Sequence, residues 1–269
     1  MIEAKKSLGQ NFLKNKHYKE KIVDGAEVRE GDTVVEIGPG MGALTEIMLS
    51  RGAKVTAIEI DRRLQEYLEE NINSEDFSLI KNDFLKTDPK EYLNSDFTTK
   101  IIGNLPYHVT SEIIFKVMDI IKDDIETSQR IESFTIMIQK EVAHRLCSIH
   151  GNKVYGVITV LTDLFCTKKL LFDVPPDAFV PKPKVTSTVM RFDTIKNNEN
   201  FKRLKSYKLF RTLVKTVFLN RRKMLRNTLK PFIDPEIITT IDITRRPESL
   251  DLNEFINLTN EVFELRGNE

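Results

Sequence analysis

Short apolar runs rich in β-branched residues alternate with segments of helical periodicity along most of the chain. The runs occupy residues 33–37, 55–59, 77–80, 100–103, 134–138, 168–174 and 187–193. Their length and composition predict strands, and the amphipathic segments between the first five predict helices. Because strands that alternate with helices form a parallel sheet covered on both faces, the pattern predicts an α/β fold with a mostly parallel, seven-stranded sheet.

The apolar pattern changes near residue 195, which predicts a domain boundary. Residues 192–200 lose regular periodicity and are typical of a linker. Beyond them, apolar residues recur at the spacing of one helix face. These are Leu204, Tyr207, Phe210, Leu213, Val214, Val217 and Phe218. We therefore predict a first domain over residues 1–195 and a small helical domain over residues 201–269. The first domain begins with a basic segment, residues 1–16, which we call the N-terminal arm.

The charge is distributed unevenly, although the 269-residue chain has a net charge of only +1. Residues 201–230 carry eleven Lys and Arg and no Asp or Glu, whereas residues 231–269 carry nine acids against three Arg. A solvated helix face usually mixes charges of both signs. The basic block therefore predicts a surface that binds a polyanion.

Residue usage argues against a metal site and against a membrane protein. The two cysteines, Cys147 and Cys166, and the four histidines do not show metal-ligand spacing. No apolar run approaches the ~20 residues of a membrane span, and the N-terminus lacks the apolar segment of a signal peptide. We expect a cytoplasmic protein with reduced cysteines, no bound metal and no membrane partner.

Three glycines mark a ligand site between the first long apolar run and the helix after it. Gly38, Gly40 and Gly42 let the backbone approach a ligand closely, beside the free N–H groups of a helix start. Glu59 ends the next strand, where a carboxylate accepts hydrogen bonds from both hydroxyls of a ribose. Since Gly38, Gly40 and Ala43 also satisfy the dinucleotide pattern, the glycines alone do not separate NAD from S-adenosylmethionine.

Two acidic residues favour S-adenosylmethionine over a dinucleotide. Glu36 precedes the glycines, where an acid repels a pyrophosphate but can face the cationic amine of a methionine moiety. Asp83 follows the third strand and can accept a hydrogen bond from an adenine amino group. The competing interpretation for Glu59 and Asp83 is that each carboxylate caps a helix N-terminus.

The stretch Asn104-Leu105-Pro106-Tyr107 follows the fourth strand and predicts a site for a planar group. Pro106 fixes its own φ and restricts Leu105 to extended conformations, so the backbone carbonyls there have little freedom. Asn104 adds a side-chain acceptor and Tyr107 an aromatic face. Rigid acceptors beside a stacking surface suit adenine or a glutamine-like amide, although a plain strand-to-loop turn has the same short sequence.

Taken in order along the chain, these motifs resemble those of the bacterial small-subunit ribosomal RNA adenine dimethyltransferases, the kasugamycin-sensitivity methyltransferases. The resemblance covers nearly all of the sequence. It is carried by Gly9-Gln10-Asn11-Phe12-Leu13, Glu36-Ile37-Gly38-Pro39-Gly40-Met41-Gly42, Glu59-Ile60-Asp61, Asn104-Leu105-Pro106-Tyr107, Gln139-Lys140-Glu141-Val142, Tyr155-Gly156, Val174-Pro175-Pro176, Phe179-Val180-Pro181-Lys182-Pro183-Lys184-Val185 and Arg221-Arg222-Lys223-Met224-Leu225-Arg226-Asn227. The sequence departs from the family at His108, where the family more often has Asn.

The resemblance implies a Rossmann-like class I S-adenosylmethionine-dependent methyltransferase domain and a C-terminal helical domain that binds rRNA. It implies dimethylation at N6 of two adjacent adenosines in a hairpin loop near the 3′ end of 16S rRNA, by a monomer acting on the small subunit. The residues expected at the reaction are Asn104, Leu105, Pro106, Tyr107 and Phe179. Those expected at the cofactor are Asn11, Leu13, Gly38, Gly40, Glu59, Asp83 and Asn104, and those expected on the RNA are Arg221, Arg222, Lys223 and Arg226.

Other functions share parts of this pattern. A 23S rRNA methyltransferase that confers macrolide resistance has the same glycine and Asn104–Tyr107 motifs, but residues 179–185 and 245–250 favour the small-subunit type. A non-catalytic assembly or transcription factor on the same fold has no need of Asn104 or Glu59, and both are present. A nicotinamide dehydrogenase is disfavoured because no residues form a hydride-transfer site.

Overall fold

The computed structural model describes residues 2–5, 8–93, 97–127 and 130–267. The chain divides into two compact units. The first contains Met1–Ala143 and Thr167–Thr194, and the second contains His144–Cys166 and Ile195–Glu269. No helix among the described residues is both long and apolar enough to cross a membrane.

Nine strands and ten helices are present in the described part of the chain. The strands are β1 (Phe12–Leu13), β2 (Thr33–Ile37), β3 (Lys54–Glu59), β4 (Phe77–Lys81), β5 (Thr99–Asn104), β6 (Ile131–Gln139), β7 (Cys166–Val174), β8 (Phe179–Val180) and β9 (Ser187–Thr194). The helices are α1 (Lys16–Gly25), α2 (Thr45–Ser50), α3 (Arg62–Asn71), α4 (Thr110–Thr127), α5 (Lys140–Leu146), α6 (Val157–Phe165), α7 (Glu199–Arg203), α8 (Tyr207–Leu219), α9 (Leu225–Thr228) and α10 (Leu252–Gly267).

The predicted seven-stranded sheet is confirmed, with the strand order β4-β3-β2-β5-β6-β9-β7. Strands β4, β3, β2, β5 and β6 pair in parallel, and β9 pairs antiparallel with β6. In the register of the central strands, Ile37 lies beside both Ile58 and Gly103. The residues that follow β2, β3 and β5 therefore meet at one edge of the sheet, where open α/β sheets bind their ligands.

The core of the first unit explains why the central strands read as continuous apolar runs. Val34 and Val55 are 0% and 1% exposed, and they share one apolar cluster with Val23 of α1 and Met48 of α2. Side chains of a strand alternate between the two faces of a sheet, so a strand covered on both faces buries nearly every position. At ~25 cal/mol for each Å² of buried apolar surface, this burial is the main stabilising contribution to the unit.

The N-terminal arm adds a short ribbon outside the main sheet. Strand β1 pairs antiparallel with β8, with Phe12 opposite Val180 and Leu13 opposite Phe179. The Lys14 N–H also donates to the carbonyl of Ala178 at 2.8 Å. The arm is thus fixed at its C-terminal end to the segment that follows β7.

The second unit is helical, and it contains more of the chain than the sequence predicted. The sequence predicts that residues 144–166 are part of the first domain, whereas in the structure they belong to the helical unit. The Phe165 ring packs against Phe201 and Tyr207, and Asn198 donates to the carbonyl of Leu164 at 2.6 Å. These contacts join residues that are distant in sequence, so local periodicity did not reveal them.

Candidate active site

The glycine turn after β2 has a backbone conformation that favours glycine. Gly38 and Gly40 have φ angles of 68° and 63°, in the left-handed region that side chains disfavour. A Cβ on Gly38 would meet no atom within 4 Å, whereas one on Gly40 would lie 3.4 Å from the Phe12 ring. The Gly38 N–H donates to the carbonyl of Ile58 at 3.0 Å, which ties the turn to β3.

Glu59 lies beside this turn at the end of β3. Its carboxylate is buried and accepts hydrogen bonds from the backbone N–H of Gly40 at 3.3 Å and of Asp61 at 2.8 Å. Burial raises the pKa of the Glu59 carboxyl, and these two backbone donors act in the opposite direction. The helix that follows is capped by Asp61 rather than by Glu59, so capping does not explain why Glu59 is here.

The structure does not support the expectation that Glu36 faces a methionine amine. Its side chain is 2% exposed and accepts a hydrogen bond of 2.5 Å from Thr45 at the start of α2. Burial raises the pKa of Glu36 to about 7, with a smaller contribution from the nearby Glu59 charge. Glu36 is therefore a buried residue that links β2 to the start of α2.

Asp83 begins a turn after β4, and its carboxylate accepts from the Leu85 N–H at 2.9 Å. The capping interpretation thus accounts for one of its oxygens. Lys116 of α4 braces the same turn by donating to the carbonyls of Phe84 and of Thr87, the latter at 2.6 Å. Burial lowers the pKa of the Lys116 ammonium. No pattern in the sequence indicated that Lys116 would donate to this turn.

Asn104 and Tyr107 are each held by a specific partner. The Asn104 Nδ2 donates to the carbonyl of Asn11 at 3.2 Å, which leaves Oδ1 without a donor among the described residues. The Tyr107 hydroxyl lies 2.7 Å from the hydroxyl of Ser187, a fully buried residue of β9. Burial raises the pKa of the Tyr107 phenol, so this ring stays neutral near pH 7.

Seven of the predicted residues line one cleft with a cavity volume of about 70 Å³. One wall is residues 8–12 of the arm, and the other comes from the glycine turn, the end of β3 and the segment after β5. The predicted residues that line it are Asn11, Gly40, Glu59, Asn104, Leu105, Pro106 and Tyr107. Sites predicted from distant parts of the sequence therefore meet at the carboxyl edge of the sheet.

Leu13, Gly38, Asp83 and Phe179 do not line this cleft. The stacking role expected of Phe179 finds no support, because its side chain is 3% exposed and packs in the apolar core with Leu13 and Val23. Pairing of β1 with β8 directs both Leu13 and Phe179 into that core. Gly38 and Asp83 follow β2 and β4, which both pair in parallel with β3 and therefore end at the same edge of the sheet.

Asp61 is a polar centre of the site to which the sequence analysis assigned no role. Its carboxylate, with a side chain of 0% exposure, accepts from Lys5 at 3.0 Å, from Gln10 at 3.0 Å and from Arg63 at 2.7 Å. The guanidinium of Arg63, with Gln10 and Lys5, holds the pKa of the Asp61 carboxyl well below its usual range. An Asp directly before a helix is a recognisable N-cap signal, but it does not reveal these long-range partners.

The basic residues predicted to bind RNA differ in their surroundings. Arg222, Lys223 and Arg226 are exposed in the turn after α8 and at the start of α9. Arg221 is partly buried, and its guanidinium donates to the backbone carbonyl of Lys153 within the helical unit. Arg221 thus already has a structural partner, whereas the other three face solvent.

Within the described ranges, no three His, Cys, Asp or Glu side chains are grouped so as to hold a metal ion. The strand order, the glycine turn after β2 and the buried acid at the end of β3 define a Rossmann-like fold with a nucleotide-type ligand site at the carboxyl edge of its sheet.

The chain belongs to the ribosomal RNA adenine dimethylase family, whose family model matches residues 1–264. The Ribosomal RNA small subunit methyltransferase A of Clostridium botulinum is 40% identical over 268 residues, which cover 97% of this chain and 94% of the relative. The protein of the same name from Flavobacterium johnsoniae is 40% identical over 263 residues and covers 97% and 96%. The family and the rRNA adenine dimethyltransferase activity expected from the sequence are confirmed.

A solved structure shows the same fold over nearly the whole chain. The crystal structure of a dimethyladenosine transferase from Plasmodium falciparum superimposes with a TM-score of 0.72 at 25% identity, covering 95% of this chain and 98% of that one. The methyltransferase family implies S-adenosylmethionine as the methyl donor.

Proposed function

We propose that this protein methylates two adjacent adenosines at N6, in a hairpin loop near the 3′ end of 16S rRNA, during small-subunit biogenesis. The product would be a pair of N6,N6-dimethyladenosines. The observation that carries the proposal is the single cleft in which Asn104 and Tyr107 meet Glu59 and Gly40. The names of the curated relatives support the small subunit as the source of the RNA.

The residues around the cleft fit S-adenosylmethionine. The left-handed glycine turn leaves open space over Gly38, and the Glu59 carboxylate beside it suits the two hydroxyls of a ribose. Asp83 would hold the adenine amino group. The set that we propose to hold the cofactor is Asn11, Gly38, Gly40, Glu59, Asp83 and Asn104, and it leaves out Leu13 because the Leu13 side chain packs in the apolar core. When bound, the cofactor supplies a methyl group that its sulfonium has already activated.

The chain's main task is then to position the target amine. The hydrogen bond that Asn104 Nδ2 donates to the Asn11 carbonyl fixes the orientation of the side-chain amide, and its Oδ1 can accept one amine hydrogen. The carbonyl of Leu105, held rigid by Pro106, would accept the other. Two such acceptors direct the nitrogen lone pair toward the methyl and stabilise the positive charge that develops on nitrogen. A general base is not needed before the transfer, because the methylated amine is a cationic acid that releases its proton to solvent afterwards, while the sulfur leaves as the neutral thioether.

Tyr107 provides the aromatic surface for the target base. Its hydroxyl is held by Ser187, so the ring plane is set before the base arrives. A base stacked on an aromatic side chain gains ~1–3 kcal/mol, which offsets part of the cost of leaving a helix or a stack. Phe179 is buried in this structure and is not part of the proposed base site.

The RNA is expected to contact the second unit through phosphates. Arg222, Lys223 and Arg226 are exposed cations on a stretch of thirty residues without an acid. Phosphate contacts fix position without reading sequence, so RNA shape and single-stranded exposure would select the target. We propose that the protein acts as a monomer in the cytoplasm, with the small ribosomal subunit as its partner.

Methyl mapping on each ribosomal subunit tests the proposal. The purified protein and S-adenosylmethionine are incubated with undermethylated small subunits and, separately, with large subunits. We expect dimethylated adenines only in the 16S hairpin loop. Methylation confined to 23S rRNA would identify the macrolide-resistance type, and binding of small subunits without any transfer would identify a non-catalytic assembly factor.

Replacing Asn104 with Ala should abolish most methyl transfer and leave the fold intact. Loss of a preorganised acceptor of this kind costs ~10²–10³-fold in rate. Single-turnover methylation on small subunits measures the effect, and S-adenosylhomocysteine affinity is recorded because Asn104 borders the cofactor. Asn71→Ala, on the exposed face of α3, is the control. A near wild-type rate in Asn104→Ala would show that another group holds the amine.

A further inference from the structure

The wall of the cleft formed by residues 8–12 depends on how the N-terminal arm is fastened. Its C-terminal end is held by the β1–β8 ribbon. In the middle, the carbonyl of Asn11 accepts from Asn104 at 3.2 Å. The N-terminal end is held at a different place, the carboxylate of Asp61 at the start of α3.

The geometry at Asp61 is a convergence of donors on one buried carboxylate. From the arm, Lys5 Nζ donates to Oδ1 and Gln10 Nε2 donates to Oδ2, each at 3.0 Å. From α3, Arg63 donates through Nη2 at 2.7 Å and Nε at 3.2 Å. Buried charges are stable in proteins only when they are paired and hydrogen-bonded. The arm supplies two of the partners that make this carboxylate stable.

Residues of the arm also form hydrogen bonds with one another next to Asp61. The Lys5 backbone N–H donates to Gln10 Oε1 at 2.8 Å, and the Leu8 N–H donates to the carbonyl of Lys5 at 3.1 Å. The same Gln10 side chain therefore links the turn of the arm to Asp61. Arg63 reaches further along the arm to the carbonyl of Glu3 at 3.2 Å.

We propose that Asp61 is a positioning residue that holds the arm, through Lys5 and Gln10, as one wall of the cofactor cleft. This inference rests on the proposed function, because it assigns the cofactor to that cleft. An arm that is released from Asp61 is competent to bind only for a fraction of the time, so the apparent affinity falls by that fraction. In this proposal Lys5 holds the arm in place through its ion pair with Asp61 and is not available to bind RNA phosphates.

The test compares variants that remove the charge without removing the helix cap. Asp61→Asn keeps an acceptor for the Arg63 N–H, since Asn caps helices about as well as Asp. Lys5→Gln removes the partner on the arm, where the side chain is 44% exposed and folding is not at risk. Glu66→Gln, which breaks an exposed ion pair with Arg62 on the same helix, is the matched control.

For Asp61→Asn we expect S-adenosylhomocysteine to bind about tenfold more weakly by calorimetry, the effect of one lost hydrogen bond to a charged group. Lys5→Gln should weaken binding by a smaller factor, and the double variant should be no weaker than Asp61→Asn alone. Amide exchange in the ligand-free protein should accelerate at residues 8–13 and not in the central strands. The KM for S-adenosylmethionine should rise while kcat changes little.

Each contrary result has a distinct meaning. If wild type binds S-adenosylhomocysteine and both variants bind it equally well, the positioning role of Asp61 is overturned and the proposed function stands. Independent effects of Asp61→Asn and Lys5→Gln, or slow exchange of residues 8–13 in both, would also overturn it. A wild-type protein that binds no S-adenosylhomocysteine would overturn the proposed function and this inference together.

Discussion

At the scale of single residues, two of the carboxylates that the first unit buries have raised pKa values. Glu36 in β2 and Glu59 at the end of β3 are 2% and 4% exposed. Burial raises the pKa of both groups, because it disfavours the charged form more than the nearby donors favour it. The site therefore contains carboxyl groups that retain protons at a higher pH than they do in the unfolded chain.

The free energy of unfolding should fall as the pH rises from 5 to 7. The folded protein holds a proton on Glu36 up to a pKa of about 7, whereas the unfolded chain releases it near 4.5. The contribution is fully present below the unfolded pKa and is lost as pH rises through the folded pKa. The full loss, which is complete above pH 7, amounts to about 3 kcal/mol, from 1.36 kcal/mol for each pKa unit between 4.5 and about 7.

Urea denaturation of the ligand-free protein at a series of pH values measures this dependence. Glu36→Gln should reduce the fall between pH 5 and 7, since Gln has no proton to lose. Glu46→Gln, on the exposed side of α2, should retain the wild-type dependence. If the free energy of unfolding of Glu36→Gln falls with pH as steeply as that of the wild type, another group titrates between pH 5 and 7.

At the scale of elements, the parallel strands bring the ends of β2, β3 and β5 together, and the neighbouring helices fix the loops that leave them. Helix α4 is an example, because its Lys116 donates to two carbonyls of the turn that begins at Asp83. The ammonium also lies 4.9 Å from the centre of the Phe84 ring. The adenine side of the proposed cofactor site is therefore held by a residue that does not itself contact the cleft.

Lys116→Met should weaken S-adenosylhomocysteine binding by about fivefold, because two backbone carbonyls lose a charged donor and the Asp83 turn loosens. Met keeps an unbranched apolar stem, so the packing of α4 is preserved. Lys122→Met on the same helix removes only ion pairs with Asp123 and Glu126 and should bind normally. Calorimetry and melting curves distinguish the outcomes, since a lower Tm with normal affinity would mean that Lys116 supports only the fold.

At the scale of the whole molecule, the cations of residues 201–230 fall into two groups, those with partners in the protein and those that face solvent. In residues 201–230, some cations already have partners within the helical unit, as Lys205 has with Glu264 and Arg203 with Asn253 and Asn257. Others, at Arg222, Lys223 and Arg226, face solvent. A small net charge thus conceals a local cationic surface.

Replacing Arg222, Lys223 and Arg226 with Ala should weaken binding to the small subunit at physiological salt. It should flatten the dependence of log affinity on log salt by roughly two to three units, at about 0.7–0.9 for each lost phosphate contact. Affinity for S-adenosylhomocysteine should not change, because its proposed residues are all in the first unit. Salt-titrated binding measures the slope.

The matched control replaces Lys202, Arg203 and Lys205, which carry the same charge in the same block. Lys202 pairs with Glu199, so this control variant should have a lower melting temperature, while the slope of log affinity against log salt should stay close to that of the wild type. If the control flattens the slope as much as the exposed triple does, the effect comes from net charge and not from contacts at the exposed turn.

The sequence by itself determined the strands of the main sheet and the two turns that follow β2 and β5. The strands of the main sheet, the glycines after β2 and the restriction that Pro106 imposes follow from neighbouring residues, and the structure has seven strands in that sheet, positive φ at the glycines and a φ of −60° at Pro106. Conformational preferences of this kind act over a few residues, so they can be read without knowing the fold.

Only the tertiary structure decided which side chains meet. Lys5 and Asp61 are 56 positions apart, and no local pattern links them. The burial of Phe179 follows from the pairing of β8 with the arm, and residues 144–166 join the helical unit through Phe165. Such contacts are selected by burial and pairing across the whole chain, where apolar area removed from water outweighs local preference.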